Sequence, residues 1–327
     1  MSRKMPAQMT RRGFSSIAAA SLAARALHAD SSYPSRNIDF IIPKAPGGGF
    51  DSLVRMISPP FERALPHKVA VVPDNIPAGG GGKGVSQLYR SKPDGYTLGA
   101  VDIPGTFILQ ARQGGGGFDL QKMVWLCSLG KPEYMCLAVG QNSPLKTFAD
   151  LKKLAEKRTL KFTSSGPEGT AYAATLVGTA LLGVKTQLIT GYKGSTDFVV
   201  GAIRGDGDAV IAPVSSVRPL QKANSIRVLA SFELHSTFAG APDATTLGQP
   251  DLTKILLERM VAAPPGLPAD IKAIIASALS KALADPQTVS LAKKLDIELT
   301  PNTPDDAAGR IRQSGDFFNK WKKYFLA

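Results

Sequence analysis

The chain has 327 residues, 43% of them hydrophobic, enough for two ordinary domains with real cores. Its 39 basic and 26 acidic residues give a formal charge of +13, but Arg3, Lys4, Arg11, Arg12 and Arg25 fall in the first 29 positions, which hold no acid. Setting those five aside leaves 34 basic against 26 acidic residues, a moderate +8 that does not single out nucleic acid as a partner.

The opening "MTRRGFSSIAAASLAARALHAD" has a basic start, an Ala-rich stretch from Ile17 to Ala24 and small residues before Asp30. This is the layout of an export signal, and the paired Arg11 and Arg12 ahead of Phe14 resemble a twin-arginine signal. The apolar stretch is well short of the roughly 20 residues that span a bilayer, which argues against an anchor. Residues 1–29 are therefore expected to be removed after Ala29, leaving a soluble protein in the periplasm.

Next, "NIDFIIP" (Asn37 to Pro43) reads as a buried strand, followed by "KAPGGG" and a helix with Leu53, Val54, Ile57 and Phe61 at helical spacing. Strand, glycine-rich loop and helix recur in "KVAVV" (Lys68 to Val72) before "PAGGGGKGVSQLYR", and in "YTLGAV" (Tyr96 to Val101) before "DIPGTFILQ". A second series begins near Leu145, where Phe148, Leu151 and Leu154 form a stripe. It continues as "LKFTSS", "GPEGT", "AYAATLVGTALL", "TQLIT", "GYKGST", "DFVVGAIRG" and "DAVIA". Strands alternating with helices predict a parallel α/β sheet with crossover helices in each of two lobes, and a cleft between them. The tail from Arg259 reads as three helices and one short strand. One helix begins at Pro268, has Ile271, Ile274, Ile275 and Leu279 on one face, and finds its natural host in the first lobe's sheet.

The glycine loops are poor nucleotide fingerprints. In "PAGGGGKGVS", Pro77 stands where a P-loop needs its first glycine and Gly84 where it needs a hydroxyl, and G-x-G-x-x-G is absent from "PGGGFDSL". Two uses remain: tight strand-to-helix turns, or close approach of an anion to the amides at a helix N-terminus. Several such loops together favour the anion. Asp51 and Thr170 are placed to cap the helices that follow.

Catalysis and metal binding have little to work with. His28 lies in the signal, His67 and His235 are isolated, and no H-E-x-x-H or G-x-S-x-G occurs, so no catalytic residue, metal or cofactor is expected. Cys127 and Cys136 lack C-x-x-C spacing; they pair across a hairpin turned at Lys131 and Pro132, or are two buried small side chains.

The segments "YPSRNIDFIIPKAPGGGFDSLVR" and "PDNIPAGGGGKGVSQLYRSKPDGYTLG", in that order, together with "SSGPEGT" and "YKGSTDFVVGAIRGDGDAVIA", resemble the periplasmic solute receptors of tripartite tricarboxylate transporters, the Bug or TctC receptors. The resemblance covers essentially the whole mature chain. It implies a two-lobed α/β, type II-like periplasmic-binding-protein fold that closes like a flytrap. It also implies a monomer that hands a small organic anion (a dicarboxylate, aromatic acid or acidic amino acid) to a two-subunit membrane permease and performs no chemistry. The lobes would divide into residues 30–133 with 254–327, and residues 134–253. Carried over to this sequence, Ala45, Pro46, Gly47, Gly48, Gly49, Phe50 and Asp51, with Ala78, Gly79, Gly80 and Gly81, form the first-lobe wall of the ligand site. Ser164, Ser165, Gly166, Thr170, Tyr192 and Gly194 form the other.

The chain departs from the family pattern at Lys44, which replaces the usual aromatic, at Ile76, at Ala173, and at Ala212 to Ser215. Lys44 is either an added cation at the cleft or a solvated residue at the strand end. Two other readings stand beside the receptor: a periplasmic enzyme on the same fold, and a sensory protein signalling to a histidine kinase.

Overall fold

The computed structural model describes residues 32–112, 117–167, 169–192, 194–294 and 297–326. The export signal expected over residues 1–29 and most of the glycine run at 114–117 lie outside the described residues.

β1 (Ile38–Ile42), β2 (Val71–Asn75) and β3 (Thr97–Ile103) run parallel, with β1 in the middle. Each leads into a helix: α1 (Gly49–Ala64), α2 (Gly82–Arg90) after a 3₁₀ turn at Ala78–Gly81, and α3 (Gly105–Arg112). The stripe of Leu53, Val54, Ile57 and Phe61 is fully buried, as its spacing requires, and packs on Ile38, Phe40 and Ile42 of β1. β2 starts at Val71 rather than at Lys68, because the stretch after α1 is used in returning to the sheet edge and the ladder with β1 begins only at the Ile38–Val71 pair.

The second series gives α4 (Phe148–Lys157), β6 (Leu160–Thr163), α5 (Thr170–Leu181), β7 (Thr186–Ile189), α6 (Ser195–Arg204), β8 (Ala209–Pro213) and α7 (Val214–Lys222). α4 begins in a capping box, Thr147 and Asp150 each satisfying the other's amide. β6 lies parallel to β7 and β8.

The sheet is mixed, not parallel throughout. β4 (Val124–Ser128) and β5 (Glu133–Gly140) do not form a hairpin with each other; both pair antiparallel with β10 (Leu256–Ala263), and β5 also pairs with β8 and with β9 (Ile226–Ser231). The eight-residue β10 is therefore the joint of the sheet, in the order β2-β1-β3-β10-β5-β8-β6-β7, rather than a short strand of the tail. Cys127 and Cys136 are free and buried in separate cores, which settles the alternative left open by their spacing.

After β10, α8 (Ala269–Ala284) and α9 (Pro286–Lys294) pack on the first lobe, with Ile275 and Leu279 fully buried against the α1 face. α10 (Pro304–Lys320) does not stay there. Its Ala307 and Ile311 join the first-lobe core under α2, while Phe317 and Phe318 enter the second-lobe core. The short α11 (Lys323–Leu326) is the last element among the described residues.

The sequence signature around "PDGYT" turns out to be structural. Tyr33 donates to the Gly95 carbonyl at 2.8 Å and stands edge-on to Tyr96, while Asp94 receives the Tyr96 amide. A side chain on Gly95, at φ +83°, would strike Ile271 and Tyr33, so glycine is obligatory there. These contacts set the segment at Tyr33 and the start of α8 against the turn at Gly95.

Candidate functional site

In sheets of this kind ligands lie outside the carboxyl ends of the parallel strands, where helices begin. Here β1, β2 and β3 deliver the starts of α1, α2 and α3 from one lobe, and β6, β7 and β8 deliver those of α5, α6 and α7 from the other.

The loop between β1 and α1 is braced. Asp51, buried in the first turn of α1, does not cap the helix as its position suggests; Gly48 is the N-cap and no side chain caps α1. The Asp51 carboxylate instead accepts the Gly47 amide at 2.9 Å and pairs with Arg55 at 2.9 Å. Burial alone would raise its pKa, but the Gly47 amide, the Asn75 side chain and Arg55 together outweigh that and hold it below the ordinary carboxylate range. Arg55 continues to Asn75, whose amide donates to the Lys44 carbonyl. The turn at Ala78–Gly81 is pressed against the end of β1: a Cβ on Gly81 would lie 2.4 Å from the Pro43 carbonyl oxygen, and its φ of +99° excludes most other residues.

Gly48 and Gly49 differ from these. Gly48 has an ordinary φ of −82°, and a Cβ there would meet only the Ala45 carbonyl oxygen, at 3.6 Å; at Gly49 it would meet nothing within 4 Å. Both are exposed, as are Ala45, Pro46, Gly47, Ala78 and Gly79, and Gly80 is half-buried. Nothing in the fold of the loop calls for glycine at 48 or 49. Phe50, half-buried, packs against the cores of both lobes.

On the second lobe, Thr170 is the first residue of α5 rather than its cap. The capping is done by Ser165, whose hydroxyl accepts the Tyr172 amide at 3.2 Å. Thr170 is left to reach the other lobe, where its hydroxyl donates to Asp102 Oδ2 at 3.1 Å. Ser164 is fully buried; its amide donates to the Ile189 carbonyl and its hydroxyl has no partner. Gly166 accepts the Gly169 amide in the intervening turn. Tyr192 faces its own lobe: its hydroxyl donates to Asp206 at 2.8 Å and its ring covers Gly201. Burial first, and then the Asp206 carboxylate, push the Tyr192 pKa up to about 12. Gly194 is extended, and a side chain there would meet nothing within 4 Å.

Asp102, near the end of β3, was not singled out by the sequence. It is a buried carboxylate that binds Lys44 Nζ at 3.1 Å and receives the hydroxyls of Thr106 and Thr170. Lys44 is thus an ion-paired residue at the strand end, not a solvated one. Beside it, Arg259 of β10 pairs with Glu133 at the start of β5 at 2.9 Å, and Glu133 also accepts the Ser215 amide in the first turn of α7. The one signal in the sequence for either group was a charge inside an apolar run, "TLGAVDI" and "LLERMVAA". Among the described residues no cluster of His, Cys, Asp or Glu could hold a metal ion, and no helix is long and apolar enough to cross a membrane.

Known proteins resemble this chain in sequence and in fold. The profile of the tripartite tricarboxylate transporter family receptor, TctC, matches residues 54–324. A UPF0065 protein of Agrobacterium vitis from the ttuE–ttuC' intergenic region is 27% identical over 86% of this chain and 81% of its own. A second, from the tcbD–tcbE intergenic region of Pseudomonas sp. strain P51, is 26% identical over 90% and 87%. Among solved structures, a periplasmic transporter superposes with a TM-score of 0.76 at 25% identity, covering 89% of this chain and 97% of that one. MatC of Rhodopseudomonas palustris with bound malate gives 0.74 at 19% identity, covering 90% and 100%. A further R. palustris protein with adipate gives 0.74 at 21%, covering 89% and 97%.

Proposed function

Because the chain belongs to the receptor family of tripartite tricarboxylate transporters, we propose that it is an exported periplasmic receptor. It holds a small organic carboxylate between its lobes and delivers it to a two-subunit membrane permease. The lobes divide into residues 30–133 with 254–327, and 134–253, so that the chain crosses between them beside β5 and β10. The ligand wall runs from Ala45 to Asp51 and Ala78 to Gly81 on one side, and through Ser164, Ser165, Gly166, Thr170, Tyr192 and Gly194 on the other.

The observation that carries this reading is the state of Gly48 and Gly49: exposed, in ordinary backbone conformation, with open space where a side chain would be, at the N-cap and first position of a helix that no side chain caps. A glycine that the fold does not need leaves room for something outside the fold, and amides at a helix N-terminus suit an anion. The bound malate and adipate of two structural neighbours make dicarboxylates the first compounds to try. Asp51, Ser165 and Tyr192 have their polar groups committed to bonds within the protein, so their part is to shape the wall, while Ser164 has a hydroxyl to offer.

A thermal-shift screen with malate, adipate and a set of mono- and dicarboxylates tests the proposal. A true ligand at 100 times its Kd stabilises the receptor by about 2.7 kcal/mol. Calorimetry on the same compounds should show binding without turnover; product formation would point to an enzyme, and no shift with any acid would sink the receptor reading.

A further inference from the structure

At the base of the cleft four charged side chains cross the sheet under the start of α1: Lys44 after β1, Asp102 on β3, Arg259 on β10 and Glu133 on β5. The register sets Arg259 opposite Asp102, and opposed residues of antiparallel strands share a face. That face is the α1 side, since Val261 and Ala263, at alternate positions from Arg259, lie in the core that α1 covers. The guanidinium carbon of Arg259 is 5.8 Å from the ring centre of Phe50, the second residue of α1.

Lys44 pairs with Asp102 and Arg259 with Glu133, so the row is balanced. Its hydrogen bonding is incomplete. The Arg259 side chain is only 9% exposed, one terminal nitrogen is held by Glu133, and Nε is buried with no acceptor. A buried donor left unmet is costly, and a guanidinium pinned at one end with its Nε–H unused has the form of a fork waiting for an oxygen.

We propose that Arg259 is the charged contact for the ligand: its Nε–H donates to a carboxylate oxygen of an acid held over the N-terminal amides of α1, while Glu133 holds the neighbouring terminal nitrogen. The inference rests on the receptor reading and deepens it. It makes Arg259 a binding residue on the joint strand, in contact with the ligand and, through Glu133 and Ser215, with the first turn of α7 in the other lobe.

The test compares the parent protein with Arg259→Lys and with the double variant Arg259→Met, Glu133→Gln. The double variant removes both buried charges together, and its glutamine still accepts the Ser215 amide. Affinity is measured by calorimetry for every acid that the parent binds from a panel containing malate and adipate, and unfolding is followed without ligand. The expected result is a loss of about tenfold to a hundredfold in affinity for the double variant, from one hydrogen bond to a charged group. Arg259→Lys should lose affinity too, since an ammonium lacks the fork. Unchanged affinity in a folded double variant, with only the unfolding midpoint lowered, overturns the contact and leaves Arg259 as a purely structural partner of Glu133. If the double variant does not fold, Arg259→Lys decides in the same way. A parent that binds none of the panel overturns the receptor reading, and this contact with it.

Discussion

Thr170→Val should loosen the closed form of the receptor without loosening its fold. The hydroxyl of Thr170 donates to Asp102 across the cleft at 3.1 Å, and Val keeps the shape of the side chain while removing the donor. Asp102 would still be held by Lys44 at 3.1 Å and by Thr106, so the carboxylate is not orphaned and the loss is that of one bond. A hydrogen bond to a charged group contributes about 1.5–3 kcal/mol. At about 1.4 kcal/mol per factor of ten, the closed-to-open ratio should fall by roughly one to two powers of ten. The helix itself is spared, because Ser165 rather than Thr170 satisfies the first turn of α5. Small-angle scattering without ligand should therefore show a more extended particle for Thr170→Val than for the parent, and Thr170→Ser should restore the parent profile. Affinity for any carboxylate found in the screen should fall by a similar factor, since ligand must then drive closure unaided. Identical scattering and identical affinity in Thr170→Val would refute the reasoning.

Gly48→Ala should weaken carboxylate binding at least tenfold while leaving the unfolding midpoint nearly unchanged, because its Cβ meets nothing closer than 3.6 Å in the free protein; calorimetry beside thermal unfolding checks both halves. Tyr192→Phe should leave affinity within about twofold, as its hydroxyl serves Asp206; a large loss would show that the tyrosine turns toward the ligand. Glu258→Gln should stabilise the protein increasingly as pH rises. Burial raises the Glu258 pKa more than Ser314 and Arg310 lower it, so the folded state binds the proton more tightly than the unfolded state does. The parent therefore loses stability as pH climbs from the ordinary carboxylate range through the folded value. Denaturant titrations at several pH values should show the variant's advantage growing upward across that window, and an advantage largest in acid would contradict the assignment.

The elements that could be read locally were those whose signals are local. Leu53, Val54, Ile57 and Phe61 mark α1, and Ile271, Ile274, Ile275 and Leu279 mark α8, because burial on one helix face imposes its own spacing. β10 was harder. Its apolar run shows that it is buried, but its antiparallel direction and its place between β3 and β5 follow from pairings with strands more than a hundred residues earlier. The same distinction separates the site residues. The glycine loops announce themselves through composition, whereas Asp102 and Arg259 are single charges in apolar strands. Their meaning depends on Thr170, 68 positions from Asp102, and on Glu133, 126 positions from Arg259. The caps assigned to Asp51 and Thr170 failed for a related reason: each residue type suits a cap, but each side chain found a better partner, the Gly47 amide in one case and Asp102 in the other.

Lys44, which the resemblance sets where the family has an aromatic residue, is paired with a buried carboxylate, Asp102. A lone lysine beside the glycine loop would add a positive charge to an anion site and hold a ligand by charge alone. Paired with a buried carboxylate, it adds no net charge to the glycine loop. The same carboxylate receives Thr170 from the opposite lobe, so one side chain both neutralises the lysine and joins the lobes. Under the proposed receptor function, closure of the lobes and the charge beside the ligand wall would meet at this one group. Exchanging Lys44 for an aromatic residue alone would leave Asp102 with its two threonines and no cation. An aromatic residue at Lys44 should therefore cost stability that a simultaneous Asp102→Asn recovers in part, and denaturant unfolding of the single and double variants checks this.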